Sequence, residues 1–481
     1  MSAAPDAAAA PTGLRASGGD AVALFSVMWA LAMVWHMVGN PTQAPPLVQV
    51  AIAVAAGLVV WRPRAPLAMA ALGVTVAVGA WSEAPVVGNH WVLAGMLGLG
   101  TVGAAVAAWL SPRPGTYDRA LLPTVRLGLL GFYAFAAFAK LNSSFLDRSV
   151  SCAVVYYQES TDSIGAGFLQ FGGASWIEWA VIVGTVVIEL SVPVALIWGR
   201  TRRWAVVGAI AFHAVLAIDQ DHTFFDFSSL LTALFVTFLP AAAPAAVAAV
   251  GRLADRLRSD GERVPELAHA LGAAVPVLAG LVVASRALAP DTVRLVGWWL
   301  WQPAVVATIV VLARLVRRDR TAGDGVGFVP RPLVLLLVPA LVLFNGLTPY
   351  LEIKTGYGWN MYGNLVTVDG ESNHLIVRRT LPLTDEQARP VTVLASDDPD
   401  VARYVDADLA ITWRQFRRFL ADHPDAAVTF ERDGEVVSVE RAGDHPELVD
   451  ADPPWREKLQ LFRVIDQRRP ARCTLGFGPA R

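Results

Sequence analysis

The chain has 481 residues, of which 54% are hydrophobic and only 17% charged, with a mean hydropathy of +0.47 and a net charge of -2. Soluble domains carry about 25% charged residues, so much of this chain must avoid water. The balanced charge, with no basic aromatic-rich patch, excludes nucleic acid as an expected partner.

Met1 to Asp20 is rich in Ala, Gly and Pro and reads as a disordered cytoplasmic N-terminus over 1–19. No small-residue cleavage site follows the first apolar run, which is therefore read as a spanning helix and not as a cleaved signal. A span needs about 20 mainly apolar residues. Candidate spans fall at 20–39, 45–61, 65–82, 90–110, 121–141, 176–198, 203–219, 226–248, 267–285, 295–313 and 331–349. The expected fold class is an all-α polytopic membrane helix bundle with about eleven transmembrane helices over 20–349. A small α+β extracytoplasmic domain is expected over 350–481.

Arginine supports this alternation. Arg62 and Arg64, Arg113 and Arg119, Arg200, Arg202 and Arg203, Arg252 to Arg263, and Arg314 to Arg320 all fall in alternate connections. The other set holds Arg148, Arg286 and Arg294, with Lys140 at a span end. An excess of Arg marks the cytoplasmic side. The expected localisation is the cell (plasma) membrane, multi-pass, with the N-terminus cytoplasmic and the C-terminal domain extracytoplasmic.

In the tail, Leu365 to Val368 and His374 to Arg378 read as strands around Asp369-Gly370. Thr412 to Ala421 has helical periodicity. Val428 to Glu431 and Val436 to Glu440 flank Asp433-Gly434, a hairpin signal. Trp455 to Phe462 reads as a last short helix. Cys152 and Cys473 both fall on the expected outer side, where disulfides persist; they are either a bridge to the soluble domain or two separate thiols.

Ionisable groups inside a bilayer default to a functional hypothesis. Lys140, one of three lysines in the chain, is either a base or a snorkelling interfacial anchor. Glu189 needs a partner, such as Arg126, or a functional site. His213 is either a satisfied core histidine or part of that site. His36 and Asn40 near the end of the first span call for a weaker form of the same remark. His222 with Asp219, Asp221 and Asp226 matches no strong metal pattern, and GxSxG, HExxH, CxxC and P-loop signatures are absent. No metal is expected.

The string Phe132-Tyr-Ala-Phe-Ala-Ala-Phe-Ala-Lys140-Leu-Asn142-Ser-Ser-Phe145-Leu-Asp147, followed by Ser151-Cys152, resembles the bacterial horizontally transferred transmembrane family. That family is related to vitamin K-dependent γ-carboxylase. Glu189-Leu-Ser-Val-Pro193 with Arg200-Thr-Arg202-Arg203, then Phe212-His213, then Phe224 to Phe235, and finally Tyr357-Gly-Trp359-Asn360-Met361 follow in the family's order. The resemblance covers most of 20–380. It implies a quinone-dependent membrane enzyme in which Lys140 deprotonates a reduced isoprenoid quinone such as a vitamin K hydroquinone. Oxygenation by O2 then yields a strong base that removes a glutamate γ-proton so that CO2 adds. Carried over, His213 and Glu189 support Lys140 as catalytic residues, while Tyr133, Asn142, Trp359 and Met361 bind substrate or cofactor. An extracytoplasmic peptide or protein is the implied substrate, and the bilayer and a membrane quinone are the implied partners. Where the carboxylase has paired lysines this chain has Ala139-Lys140, and its tail is shorter than the animal enzyme's substrate-binding region. A non-catalytic membrane scaffold or binding protein, and a transporter, are the alternative readings.

Overall fold

A computed structural model describes residues 18–85, 87–239, 289–318, 326–450 and 452–474. The expected disordered N-terminus, the span at 267–285 and the second half of that at 226–248 lie outside the described residues, with Arg252 to Arg263.

Long apolar runs become helices because only a helix satisfies each backbone N–H and C=O within one segment. They are α1 (Gly18–Gly39), α2 (Pro46–Trp61), α3 (Pro66–Glu83), α4 (Asn89–Leu110) and α5 (Thr116–Phe138), then α6 (Cys152–Ser163), α7 (Ser175–Ile197), α8 (Gly199–Leu216) and α9 (Phe224–Phe235). After the undescribed stretch come α10 (Pro290–Arg318) and α11 (Leu337–Leu347), the latter entered through a 3-10 turn at Leu333–Leu336. Pro at the first helical position starts α2, α3 and α10, where its missing N–H leaves no bond unmade.

Among the described residues six helices are long and apolar enough to cross a membrane: Ala21–Gly39, Pro66–Glu83, Asn89–Leu110, Thr116–Phe138, Ser175–Ile197 and Pro290–Arg317. The other described helices at expected spans differ for local reasons. Pro46–Trp61, Phe224–Phe238 and Leu333–Leu347 are apolar but shorter, and α8 begins on Arg200, Arg202 and Arg203. Helix α6 was not among the expected elements; it occupies the long connection after α5.

The outer surface of α7 is apolar. Trp176, Trp179, Val183, Val187, Val194, Ile197 and Trp198 are all exposed. Soluble monomers rarely expose so continuous an apolar face, and Trp at both ends of it matches the interfacial belts of lipid-facing helices. Helices α3 and α4 approach most closely, backbone to backbone. A Cβ on Gly98 would stand 2.6 Å from the Gly73 carbonyl oxygen, and Thr101 Oγ1 donates across the contact to the Met69 carbonyl at 3.1 Å. Small residues permit such packing.

The C-terminal domain builds a separate core. The hairpin of β1 (Thr367–Val368) and β2 (Glu371–Ser372) turns at Asp369 and Gly370, both at positive φ. The expected second strand at His374 to Arg378 is replaced by this shorter partner, because a two-residue turn puts Glu371 directly opposite Val368. Four antiparallel strands follow in the order β4 (Ala410–Ile411), β3 (Val391–Ser396), β5 (Val428–Arg432), β6 (Glu435–Val439). The β5–β6 turn uses Asp433 and Gly434 at positive φ, as the sequence indicates. Helices α12 (Pro399–Ala407) and α13 (Trp413–Asp422) complete the unit, with short α14 (Pro446–Val449) and α15 (Pro454–Leu459). Tyr404, Phe416, Phe419, Leu420, Phe430 and Val393 fill its core. Both β3 and α12 escaped the sequence reading.

This domain is tied to the helices near the end of α5. A disulfide joins Cys152 to Cys473 with Cα atoms 4.9 Å apart. The Cys152 N–H donates to Asn364 Oδ1 at 2.7 Å, the Ala471 N–H to Ser144 Oγ at 2.9 Å, and the Leu375 N–H to the Leu141 carbonyl at 2.8 Å.

Candidate functional site

The last turns of α5 place Tyr133, Ala136 and Lys140 on one face, three and four residues apart. Helix α7 brings Glu189 opposite them. Pro193, one turn further on, lacks the N–H that would bond the Glu189 carbonyl. Helix α8 contributes His213, and α9 contributes Phe224 and Phe227. Together with α6 and the Met361-Tyr362 segment they enclose a cavity of about 620 Å³ whose lining is mostly apolar.

At its wall Lys140 Nζ lies 2.8 Å from Glu189 Oε2, with side-chain exposures of 6% and 12%. These low values speak against a snorkelling anchor with its head in water. Nζ also donates to the Ala136 carbonyl at 3.3 Å. The 2.8 Å contact is an ion pair whose angles are not those of an aligned hydrogen bond, so Glu189 Oε2 keeps unused acceptor capacity. The expected Glu189–Arg126 pairing is corrected. Arg126 Nε and Nη2 donate to the Thr237 carbonyl at 2.9 and 2.6 Å, and Nη1 to the Gly327 carbonyl at 2.9 Å. The Thr237 carbonyl lies in the 3-10 turn that ends α9, where acceptors are left unmade, and all three guanidinium nitrogens of Arg126 are engaged away from Glu189.

Next to the pair, the Tyr133 hydroxyl and His213 Nε2 are 3.1 Å apart, their rings edge to face. His213 Nδ1 is buried without a hydrogen-bond partner among the described residues, an uncommon state that calls for a cause. The cavity thus borders one ion pair and two polar atoms with capacity to spare.

The side facing α7 and α8 is thin. A Cβ added at Gly184 or Gly208, both lining the cavity, would meet no atom within 4 Å. Ile188 and Val215 line it too and are exposed on the outer surface. The cavity wall formed by these two helices is therefore apolar and loosely packed.

Of the residues singled out in the sequence, Lys140, Glu189, His213, Tyr133, Met361 and Cys152 line the cavity. Asn142 and Trp359 do not. Asn142 Nδ2 donates to the carbonyls of Ala139 and Gly363, and its Oδ1 accepts from the Phe145 N–H at 2.8 Å. It thereby clamps the end of α5 to the C-terminal segment. Trp359 is fully buried, donates from Nε1 to the Val342 carbonyl at 2.7 Å and packs on Phe132. Both are structural pins.

The acidic loop after α8 does not gather the four groups considered for a cation. Asp219 Oδ1 accepts from the backbone N–H groups of Asp221 and His222 at 2.7 and 2.8 Å, and Oδ2 from Ser160 at 3.0 Å. Burial alone would raise the Asp219 carboxyl. The hydrogen bonds and charge of His222 outweigh it and hold the group below the ordinary carboxylate range. Asp226 belongs elsewhere, to a second buried polar centre with His36, Glu83 and His90.

No known family model, curated protein or solved structure matches this chain.

Proposed function

We propose that this chain is a multi-pass membrane enzyme of the horizontally transferred transmembrane class, in which Lys140 acts as a base on a reduced isoprenoid quinone. The reading includes about eleven spans, a cell-membrane location and a C-terminal domain on the extracytoplasmic side. One observation carries it: a buried Lys140–Glu189 pair on the wall of a mostly apolar cavity of about 620 Å³. Ligand sites of this kind are apolar with a few converging polar groups, and several hundred Å³ suits a ring with part of its tail. The orphaned His213 Nδ1 supplies a further polar contact. A loosely packed apolar wall formed by α7 and α8 suits a ligand arriving from lipid.

When bound, a reduced quinone supplies an acidic hydroxyl and an oxidisable ring, with O2 and CO2 as the small co-reactants of carboxylase-like chemistry. Lys140 and Glu189 handle the proton. In this mechanism Glu189 Oε2, 2.8 Å from Nζ, takes a proton from the amine once the two groups are aligned. The free amine then accepts a proton from a hydroxyl at the cavity wall. An arginine cannot replace it, since guanidinium does not deprotonate in proteins. Phe132, Phe227 and Tyr156 keep water from the wall.

A second reading, a membrane scaffold presenting its outer domain to a protein, draws on β6. This strand is the sheet edge and is exposed over Glu435 to Ser438, and such an edge can take a peptide strand. The deciding measurement uses the full chain in nanodiscs with menaquinol, following its oxidation by absorbance and its retention by mass spectrometry. The enzyme reading expects turnover and retention in the wild type, and lost turnover with intact folding in Lys140→Arg. Equal behaviour of wild type and Lys140→Arg, or no menaquinol retained by either, rejects it in favour of the scaffold.

A further inference from the structure

We propose that His36, His90 and Asp226 form a binding site for one first-row divalent transition-metal ion, with Glu83 orienting His36 from behind. The four side chains come from the last turns of α1 and α3 and the first turns of α4 and α9, so four helix ends converge on one point. His36 Nδ1 lies 2.9 Å and His90 Nε2 2.8 Å from the same oxygen, Asp226 Oδ2. One donor atom from each of the three residues falls within 4.8 Å of the others.

The far side of His36 gives an independent indication. Its Nε2 faces both oxygens of Glu83 at 3.3 Å. A metal-bound imidazole nearly always gives its other N–H to a carboxylate or carbonyl, which fixes the tautomer and aims the free nitrogen at the metal. Here Nδ1 is the nitrogen so aimed. Trp91 stacks on the His36 ring at 3.5 Å and 12°, which fixes the ring plane. Asn40 Nδ2 donates to Asp226 Oδ2 at 2.7 Å and steadies the carboxylate.

Charge points the same way. Glu83 and Asp226 are both buried, and among the described residues their partners are the two imidazoles and the Asn40 amide. Two carboxylates and two imidazoles that face one another in an apolar setting form a donor set that a divalent cation can take up. Two imidazole nitrogens and one carboxylate suit Zn2+ or Fe2+ rather than Ca2+ or Mg2+, which take oxygen donors. Tetrahedral metal bonds of about 2.0–2.2 Å place donor atoms about 3.3–3.6 Å apart, so binding opens the two contacts to Asp226 Oδ2, now 2.9 and 2.8 Å, by well under an ångström.

The pattern escapes sequence inspection because His36 and Asp226 are 190 residues apart. The site lies one ring from the cavity: Phe227 packs on His90 at 5.5 Å and on His213 at 5.1 Å.

The test is the metal content of the full chain, purified in detergent without chelator or metal-affinity resin and measured by inductively coupled plasma mass spectrometry. The wild type is expected to hold about one equivalent of a single first-row metal per chain. His90→Ala and Asp226→Asn are expected to lose most of it, and Glu83→Gln to weaken retention about 10–100-fold. Asp398→Asn, in a surface His–Asp group whose Oδ1 already caps α12 by accepting from the Asp400 and Val401 N–H groups, should change nothing. Should the buried-site variants fail to fold, Co2+-loaded wild type decides through its visible d–d absorption. A wild type that takes up less than about a tenth of an equivalent of Zn2+, Fe2+ or Co2+ and shows no such band overturns the site. So does a folded His90→Ala protein with wild-type metal content.

Discussion

Two buried polar centres stand on either side of Phe227, and they solve the same problem differently. Around His36 the carboxylates face imidazole nitrogens on both sides of the ring, and Asn40 and His90 take up Asp226 as well. Around Lys140 an ion pair borders open space, and His213 Nδ1 has no partner among the described residues. A polar group taken out of water must recover its lost hydrogen bonds. The first centre recovers them from protein, or from a small ion held between side chains. The second leaves part of the recovery undone and keeps room for something larger. Unused capacity beside a cavity, more than the mere presence of a buried charge, marks where a ligand belongs.

The largest expected effect strikes the ion pair. Glu189→Leu strands a buried ammonium and should destabilise the protein by about 3–5 kcal/mol. Adding Lys140→Met should return most of that, while removing turnover completely. Thermal unfolding of the two variants in detergent checks this; a double variant no more stable than the single one would show that the pair is not the source of the loss.

A smaller effect separates packed from open space. Gly73→Ala drives a Cβ into the α4 backbone at Gly98 and should cost about 1–3 kcal/mol. Gly208→Leu enters the cavity at its wall, where a Cβ meets nothing. It should change stability by no more than about 0.5 kcal/mol yet abolish quinone retention. Equal destabilisation of the two variants would erase the contrast between filled crossing and loosely packed wall.

The smallest effect lies in the C-terminal domain, where water screens the charges. Burial would raise the Asp466 carboxyl. The hydrogen bonds from the Arg472 side chain and backbone and from the Arg468 N–H outweigh burial and hold it below the ordinary carboxylate range. A carboxyl depressed on folding adds stability that is present above its unfolded value and is lost as pH falls through its folded value. Hydrogen exchange of 407–472 in the full chain should therefore show Asp466→Asn less protected than wild type at pH 7. The gap should shrink below about pH 4, where an unfolded aspartate takes up its proton. A gap that persists unchanged into acid would contradict the assignment.

What the sequence made legible follows from cost. Lys140, Glu189 and His213 interrupt apolar runs, and an interruption that expensive is visible without coordinates. Glu83 and His90 were not, because they sit at the facing ends of α3 and α4, where polar residues need no explanation. Asn142 and Trp359 were assigned to the ligand by their neighbours in the chain, yet their bonds run to backbone carbonyls, a choice that only the fold fixes. Glycine turns at Asp369-Gly370 and Asp433-Gly434 were legible because positive φ selects residue types. Strand β3 was not, since Val391–Ser396 has a partner at Val428–Arg432 that no local pattern announces. The alternation of arginines guided the span count, but length is a stricter criterion than charge, and several helices fall short of it.

The covalent link between Cys152 and Cys473 also orders the protein's assembly. During synthesis the earlier thiol must wait for 321 further residues, so closure cannot precede synthesis of α7 to α11 or of the C-terminal sheet. Oxidation thus comes at the end of assembly. Until then, an unreacted Cys152 beside the cavity reports that the final segment has not yet arrived.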